Sequence, residues 1–252
     1  MLHDRLVVPG SRATVHMAVT DRRGGFSQAP YDSFDLARHV GDDDHAVEAN
    51  RSLLATVVGL DPEQVSWVSQ VHGDAVHVTG SGTLSGSVVE ADAQITTEAD
   101  LGLAILVADC TPVLLADPEA GVIGAVHAGR PGMAAGVVTR CVEAMVAAGA
   151  RDLTAFVGPS VCPRCYEVPA AMRAEVAAVE PVSAAVSATG TPALDVAAGV
   201  VEQLSRAGVH VARWSRDCTV ETPALFSHRR DGRDGGRTGR FAGLVWMTRE
   251  GG

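Results

Sequence analysis

Short apolar runs recur along the chain and alternate with longer, alanine-rich runs of helical spacing. The short runs read as strands over Ala13–Val19, Gln64–Ser69, Ala75–Thr79, Leu103–Val107, Val113–Ala116, Val122–Val126, Leu153–Val157, Val209–Arg213 and Phe241–Met247, most of them carrying the β-branched residues that fit a pleated, half-buried surface. The longer runs predict helices over Asp44–Val58, Gly132–Ala148, Ala170–Glu180 and Leu194–Ala207. The second of these has the clearest ends, with Pro131 beside its first turn and Gly149 after its last apolar residues. The runs 103–107, 113–116 and 122–126 lie too close together for helical crossovers, so they are expected to pair as an antiparallel meander, and the fold class is α+β. There is no repeat, heptad run or long linker, and residues 1–252 read as one domain. The Arg- and Gly-rich segment from Ser227 to Arg240 reads as a mobile surface loop.

Composition narrows the function more than the fold. A chain of 252 residues with 46% hydrophobic content buries a full core. Its formal net charge of -10 and pI of about 5.3 argue against nucleic acid or an anionic membrane as a partner, so an anionic substrate must meet local arginines. No stretch reaches the ~18 apolar residues of a membrane span, and the start MLHDRLVVPGSRATV lacks the basic-then-apolar layout of a signal peptide, so a cytoplasmic location is expected. Five cysteines, an odd number, then read as thiols or metal ligands instead of a disulfide framework. Nothing in the sequence sets the oligomeric state, and a monomer is the default expectation.

Three segments place a metal-type ligand at a strand end followed by glycine or proline: Gln70-Val71-His72-Gly73, Ala108-Asp109-Cys110-Thr111-Pro112 and Val126-His127-Ala128-Gly129. Such turns leave polar side chains at a sheet edge, where they can converge. Two imidazoles and a thiolate form a common zinc set, and three protein ligands leave a fourth position for water or substrate. Taken singly, a cysteine packs as a small hydrophobe and a histidine satisfies local hydrogen bonds, and no compact motif such as HExxH joins the three. Cys162-Pro163-Arg164-Cys165 could bind metal or cycle as a dithiol, but no second CxxC completes a four-thiolate set. Cys141 fits the apolar face of its helix, and His77, five residues after His72 in a strand-like run, falls on the opposite face. Asp92 and Asp109 are acids beside small residues at turns or strand ends, suited to orienting a ligand's second nitrogen, holding a ribose hydroxyl or donating a proton, or simply to capping a turn. Arg130 is the natural anion contact near the trio, with Arg229 and Arg230 as further candidates.

Read together with Gly158-Pro159-Ser160-Val161 and Cys165-Tyr166-Glu167-Val168, the three segments resemble the YfiH-like family, also called laccase-domain or polyphenol oxidase proteins. Gly24-Gly25-Phe26-Ser27, Gly41-Asp42-Asp43, Asn50-Arg51, Ala91-Asp92-Ala93 and Thr238-Gly239-Arg240 extend the likeness over nearly the whole chain. The resemblance implies packed mixed sheets with flanking helices, a metal held by His72, Cys110 and His127, with zinc preferred over copper, and purine nucleoside phosphorylase activity. Adenosine deaminase and methylthioadenosine phosphorylase activities accompany it in the family. It also makes Cys165 the family-like cysteine and Cys162 a replacement of glycine, so that the CxxC reads as incidental. The chain departs from the family after His127, where Arg130-Pro131-Gly132 stands in place of Trp-Arg-Gly.

The resulting expectation is phosphorolysis of a purine nucleoside. Cys110, His127 and Asp109 form the chemical centre, Arg130 and Arg229 bind phosphate, and Asp92, Asp109 and Glu167 contact ribose or base. A competing expectation uses the same residues as a Cys-His hydrolase or amidase editing cell-wall precursors, with Cys110 as nucleophile and His127 as base. Multicopper oxidase chemistry needs paired HxH motifs, and none of the nine histidines forms one.

Overall fold

The structure is a computed structural model that describes residues 1–83, 88–232 and 236–249. In chain order the strands and helices are β1 (Leu2–Val8), β2 (Ala13–Thr20), α1 (Asp44–Val58), β3 (Val65–Trp67), β4 (Val76–Val78), β5 (Ala93–Thr96), β6 (Gly102–Val107), β7 (Thr111–Asp117), β8 (Val122–Ala128), α2 (Arg130–Ala135), α3 (Val137–Ala147), β9 (Thr154–Val157), α4 (Ala170–Val179), β10 (Ala184–Val186), β11 (Pro192–Leu194), α5 (Val196–Arg206), β12 (His210–Trp214), α6 (His228–Asp231) and β13 (Phe241–Arg249). They form a five-stranded sheet ordered β1-β2-β13-β6-β3, a six-stranded sheet ordered β12-β9-β7-β8-β5-β4, and the small hairpin β10-β11. Parallel and antiparallel pairs occur in both large sheets, so the α+β expectation of packed mixed sheets holds.

Side-chain alternation builds four layers from these elements. Met17, Val19, Leu103, Ile105 and Val245 on one sheet meet Leu114, Ile123 and Phe156 on the other. The opposite face of the five-stranded sheet, with Ala18, Ala104, Leu106 and Leu244, receives Leu54 and Ala55 of α1. The outer face of the six-stranded sheet, with Val113, Leu115 and Val126, is covered by Val138, Cys141 and Val142 of α3 and Val200 and Leu204 of α5. Burial on both faces explains why β6, β7 and β8 read as continuous apolar runs without polar alternation.

Four local expectations change. The meander breaks after its first strand: β6 pairs with β13 and β3 in one sheet, while β7 pairs with β8 and β9 in the other. Residues Ala108–Cys110 therefore cross between sheets. The helix expected over Gly132–Ala148 is two helices, because Gly136 adopts φ 89° and ends α2 before α3 begins. Strands β1 and β5 were not anticipated; the polar His3, Asp4 and Arg5 mask the first, and the brevity of Ala-Gln-Ile-Thr masks the second. The segment Ser227–Arg240 is not the mobile loop expected over its described residues: it contains α6, Ser227 and Thr238 are buried, and Arg230 donates to the carbonyls of Thr219, Thr222 and Leu225. Its residues 233–235 lie outside the described residues. No helix among the described residues is long and apolar enough to cross a membrane.

The motifs near the start of the chain serve this framework. Asn50 of α1 is fully buried, accepts from the Phe26 amide and donates to the Ser27 hydroxyl and the Asp35 carbonyl, which pins the 25–35 segment to the helix. Gly25 passes so close that an added Cβ would lie 2.4 Å from Asn50 Oδ1. Asp35 is fully buried, with Oδ1 accepting from the Arg240 and Ala37 amides at 2.7 and 3.1 Å and Oδ2 without a hydrogen-bond partner among the described residues. Burial is the main cause that pushes this carboxyl up to about 6 from 3.8, against the pull of the Arg240 and Ala37 amides. A carboxyl raised on folding adds stability below its unfolded value and loses it as pH rises through its folded value. Asp35→Asn is therefore expected to gain stability relative to wild type, by on the order of 2 to 3 kcal/mol, between about pH 4 and about pH 7.5. Urea unfolding across that range checks it, and parallel pH profiles for the two proteins would refute it.

Candidate metal centre and the cavity beside it

The trio expected from the sequence does converge. The β7–β8 ladder pairs Pro112 with His127 and Thr111 with Ala128, which sets Cys110 beside the end of β8. Cys110 arrives there through the sheet-crossing corner, where Asp109 adopts φ 93°. His72 comes from a separate turn, itself at φ 62°, linked to the six-stranded sheet through the Ser69–Glu90 bridge. Such conformations are uncommon for residues other than glycine and persist only where surrounding contacts enforce them. The ligand atoms of His72, Cys110 and His127 all lie within 4.8 Å of one another, with Cys110 Sγ 3.7 Å from His72 Nε2. Gly129 closes this centre from one side. An added Cβ there would lie 2.6 Å from the His72 ring and 3.3 Å from Cys110 Sγ, so no larger residue fits without moving both ligands.

Asp92 organises the trio from behind. Its carboxylate accepts the amides of Val71, His72 and Gly73 at 3.2, 2.9 and 2.7 Å, which holds the His72 turn in its left-handed conformation. The same carboxylate takes the Nδ1 proton of His127 at 2.8 Å, and the Asp92 carbonyl takes the His127 amide at 2.7 Å. A carboxylate only accepts, so a proton sits on Nδ1 and Nε2 is the ring nitrogen that faces the centre. This carboxylate–imidazole arrangement is the usual second support of a metal-binding histidine.

Charge is shared across the same atoms. Burial works to raise the Cys110 thiol, but the charge and hydrogen bond of His127, joined by those of His72, bring it down to about 6. Burial works to lower His127, yet the Cys110 sulfur and the Asp92 carboxylate push it up to about 9. Burial also acts to raise Asp92, and the His127 bond with the turn amides outweighs it and lowers the carboxyl. In the absence of a cation these opposite shifts favour a thiolate–imidazolium pair of Cys110 and His127.

The trio opens onto a cavity of about 520 Å³, a size that suits a small-molecule ligand. Arg130, Arg229 and Arg240 line it, as do His39, Gln70 and Tyr166. Local cations thus stand in the cavity of an acidic chain. Arg130 is the first residue of α2, and Arg229 lies over the Tyr166 ring with its guanidinium carbon 5.1 Å from the centroid. Burial pushes the Tyr166 hydroxyl up, with Arg130 acting against it. Arg130 and Pro131 both line the cavity, so the run that departs from the family pattern is part of its wall.

Several substrate contacts expected from the sequence lie elsewhere. Asp92 has no exposed surface and both its oxygens are occupied, so it faces the His72 turn and His127 and not the cavity. Glu167 is exposed and away from the lining, and only its carbonyl takes part nearby, accepting from Arg229 Nη2 at 3.1 Å. Alternation explains this: Glu167 bridges Ala193 in extended backbone, which turns its neighbour Tyr166 toward the cavity instead. Asp109 reaches the lining, but its carboxylate is spoken for by the Thr219 and Ser227 hydroxyls and the Arg229 amide at 2.5, 2.7 and 2.6 Å. It acts as the anchor of the 219–229 segment. Tyr166, Gln70 and Arg240 were missed although each stands inside a motif already noticed; His39 and His228, which also line the cavity, carried no sequence signal.

Sequence and fold comparisons identify the family. The profile of the family described as multi-copper polyphenol oxidoreductase laccase matches residues 16–248. A Streptomyces coelicolor protein named purine nucleoside phosphorylase is 52% identical over 243 residues, covering 94% of this chain and 99% of the relative. The solved structure of the Bacillus licheniformis hypothetical protein YfiH superposes with a TM-score of 0.84 at 26% identity, covering 95% of this chain and 97% of that one. A solved Neisseria meningitidis protein of the DUF152 family gives 0.83 at 31% identity, covering 96% and 98%. With the profile spanning nearly all of its length, the chain belongs to the laccase-like, YfiH family.

Proposed function

We propose that the chain, as one domain over residues 1–252 and as a cytoplasmic monomer, is a zinc-dependent purine nucleoside phosphorylase acting on adenosine, inosine or guanosine. The observation that carries this reading is a His-Cys-His ligand set opening onto a cavity that holds three arginines in a chain of net charge -10. The name of the Streptomyces relatives supports it. The donor set of two imidazoles and one thiolate suits zinc, while a laccase-type copper cluster needs more histidines in paired motifs than this sequence offers. A zinc ion bound there would supply Lewis acidity to an oxygen of substrate or water.

The rest follows from the chain's own side chains. A phosphate oxygen forms a bond to C1′ of the ribose as the bond from C1′ to the purine nitrogen breaks, and the departing base takes up a proton. Arg130 and Arg229, together with Arg240, hold the phosphate dianion in place by charge-assisted hydrogen bonds. The Tyr166 ring offers an apolar face to the base or sugar, and His39 and His228 stand in the lining to pass a proton to the leaving purine. Asp109 keeps Arg229 in position through its amide. Adenosine deamination and methylthioadenosine phosphorolysis are part of the same proposal, since both substrates present the same purine to the cavity.

Product analysis by mass spectrometry, with adenosine and the zinc-loaded protein, tests the reaction. Adenine and ribose 1-phosphate appearing only when phosphate is added are the expected outcome, and inosine reports deamination. Arg130→Ala or Arg229→Ala is expected to raise the KM for phosphate about tenfold or more, the worth of a charge-assisted bond. Adenine released without added phosphate, or an unchanged KM in both variants, would count against the assignment. Asp92→Asn is expected to weaken zinc binding about 10- to 100-fold through the loss of support to His127 and His72. A competition titration against a zinc chelator measures it, and wild-type affinity in a folded variant would remove Asp92 from the centre.

The thiolate–imidazolium pair favours one second reading, a Cys-His hydrolase or amidase in which Cys110 is the nucleophile. Because its thiol is brought down to about 6, alkylation of Cys110 by iodoacetamide in metal-free protein should rise through that pH and not through 9.0. Stoichiometric zinc that blocks this labelling, in protein as purified, would decide for the metal centre. Rapid labelling of protein as purified would decide for the nucleophile.

A further inference from the structure

Outside the cavity, behind Tyr166, two turns face each other. The Cys162–Cys165 turn closes with the Cys165 amide donating to the Cys162 carbonyl at 3.0 Å, and the Cys218–Glu221 turn closes in the same way at 3.1 Å. Each presents a ligand-type side chain at its first and fourth positions. The three sulfurs and one carboxylate oxygen all lie within 4.8 Å of one another. The Ser160–Cys218 bridge and the Thr219 amide, donating to the Ser160 carbonyl at 3.2 Å, fix the register of the two turns. All three cysteines are free thiols, and Cys218 is buried.

We propose that Cys162, Cys165, Cys218 and Glu221 form a second metal site, a closed structural centre for a zinc-class divalent cation. Paired Cys-x-x-ligand turns are the usual way a chain offers two donors to one tetrahedral ion, and four protein donors leave no position for substrate. The surroundings suit ligation. The Cys162 amide donates to Cys218 Sγ at 3.3 Å, a contact that supports a thiolate. Arg164 Nη2 holds one oxygen of Glu221 at 2.7 Å, while the other points toward Cys165 Sγ at 3.6 Å. Glu221 is thus set to bind through a single oxygen, and Arg164 offsets part of the negative charge that three thiolates and a carboxylate place around the ion. On binding, each thiol releases its proton to solvent as its sulfur bonds the metal. The CxxC that reads as incidental in the sequence lacks a second CxxC because its partner is a Cys-x-x-Glu.

The position gives the site a task. Val161 and Tyr166 flank the first turn and line the cavity, and Thr219 in the second turn donates to the Asp109 carboxylate. An ion here would clip the cavity wall to the segment that Asp109 anchors. The inference stands apart from the phosphorylase reading, since none of its ligands belongs to the His72, Cys110 and His127 set.

Zinc content after expression in zinc-supplemented medium and purification under reducing conditions tests it. Two zinc ions per chain are expected in wild type, and one in each of Cys110→Ser and Cys165→Ser/Cys218→Ser. The Cys110→Ser protein is decisive because the second cluster stays intact in it. Loaded with cobalt in place of zinc, it should keep intense thiolate-to-cobalt absorption. A single zinc that Cys110→Ser loses would overturn the second site and leave the first standing, whereas a single zinc that it keeps would do the reverse. A disulfide from Cys218 to Cys162 or Cys165, found by peptide mapping of the zinc-supplemented protein, would also overturn it.

Discussion

A carboxylate with no exposed surface has to find its partners inside the protein, and Asp92 finds four: three successive amides of the 71–73 turn and the Nδ1 proton of His127. Removing any one would leave part of a buried charge uncompensated, which costs more than the bond itself contributes. This requirement holds His72 at positive φ, fixes the tautomer of His127 and joins a turn to the end of β8. Two of the three candidate ligand side chains therefore owe their placement to one residue that never touches the cavity. Its negative charge also joins that of the Cys110 sulfur in pushing the His127 imidazole up against the effect of burial.

The third candidate ligand, Cys110, depends on topology. Had β6 continued into a hairpin with β7, Cys110 would lie at an ordinary turn on the edge of one sheet. Instead the chain leaves the five-stranded sheet after Val107 and enters the six-stranded sheet at Thr111, with Asp109 at φ 93° making the corner. A side chain at such a crossing points into the end of the layer between the sheets, where His127 also lies on the face of β8 that carries Ile123 and Ala125. The Asp109 carboxylate, bound by Thr219, Ser227 and the Arg229 amide, keeps the corner tight and brings an arginine to the cavity.

What was legible in the sequence follows from the range of the interactions involved. Helices α1, α4 and α5 and most strands are set by local periodicity and end within two residues of where the spacing puts them. The Gly136 break and α6 are also local, but a glycine inside an alanine-rich run and an arginine-rich segment both admit another reading. Pairing of β6 with β13 is not local, since it joins residues more than 130 positions apart, and nothing in the spacing of three apolar runs reveals it. At the site, residue type and strand-end position pointed to His72, Cys110 and His127, whereas the direction of Glu167 and Tyr166 depended on a one-residue parity that only pairing with β11 settles.

The same parity and crossing rules explain how a chain of net charge -10 keeps a cationic cavity. Its carboxylates near the cavity are turned away: Asp92 behind the ligands, Asp109 into the 219–229 segment, Asp35 beneath the Arg240 amide, and Glu167 out to solvent. All three are held by backbone amides or hydroxyls, and the charges of Asp92 and Asp109 support the scaffold at close range, whereas the buried Asp35 carboxyl is only partly compensated. Arg130, Arg229 and Arg240 are left as the cationic side chains lining the opening, beside the histidines. An anion approaching from solvent meets those cations at a few ångströms while the acidic surface, farther off, is screened over a Debye length of about 8 Å. Local placement of charge, and not the net balance of the sequence, decides which ligand the cavity can hold.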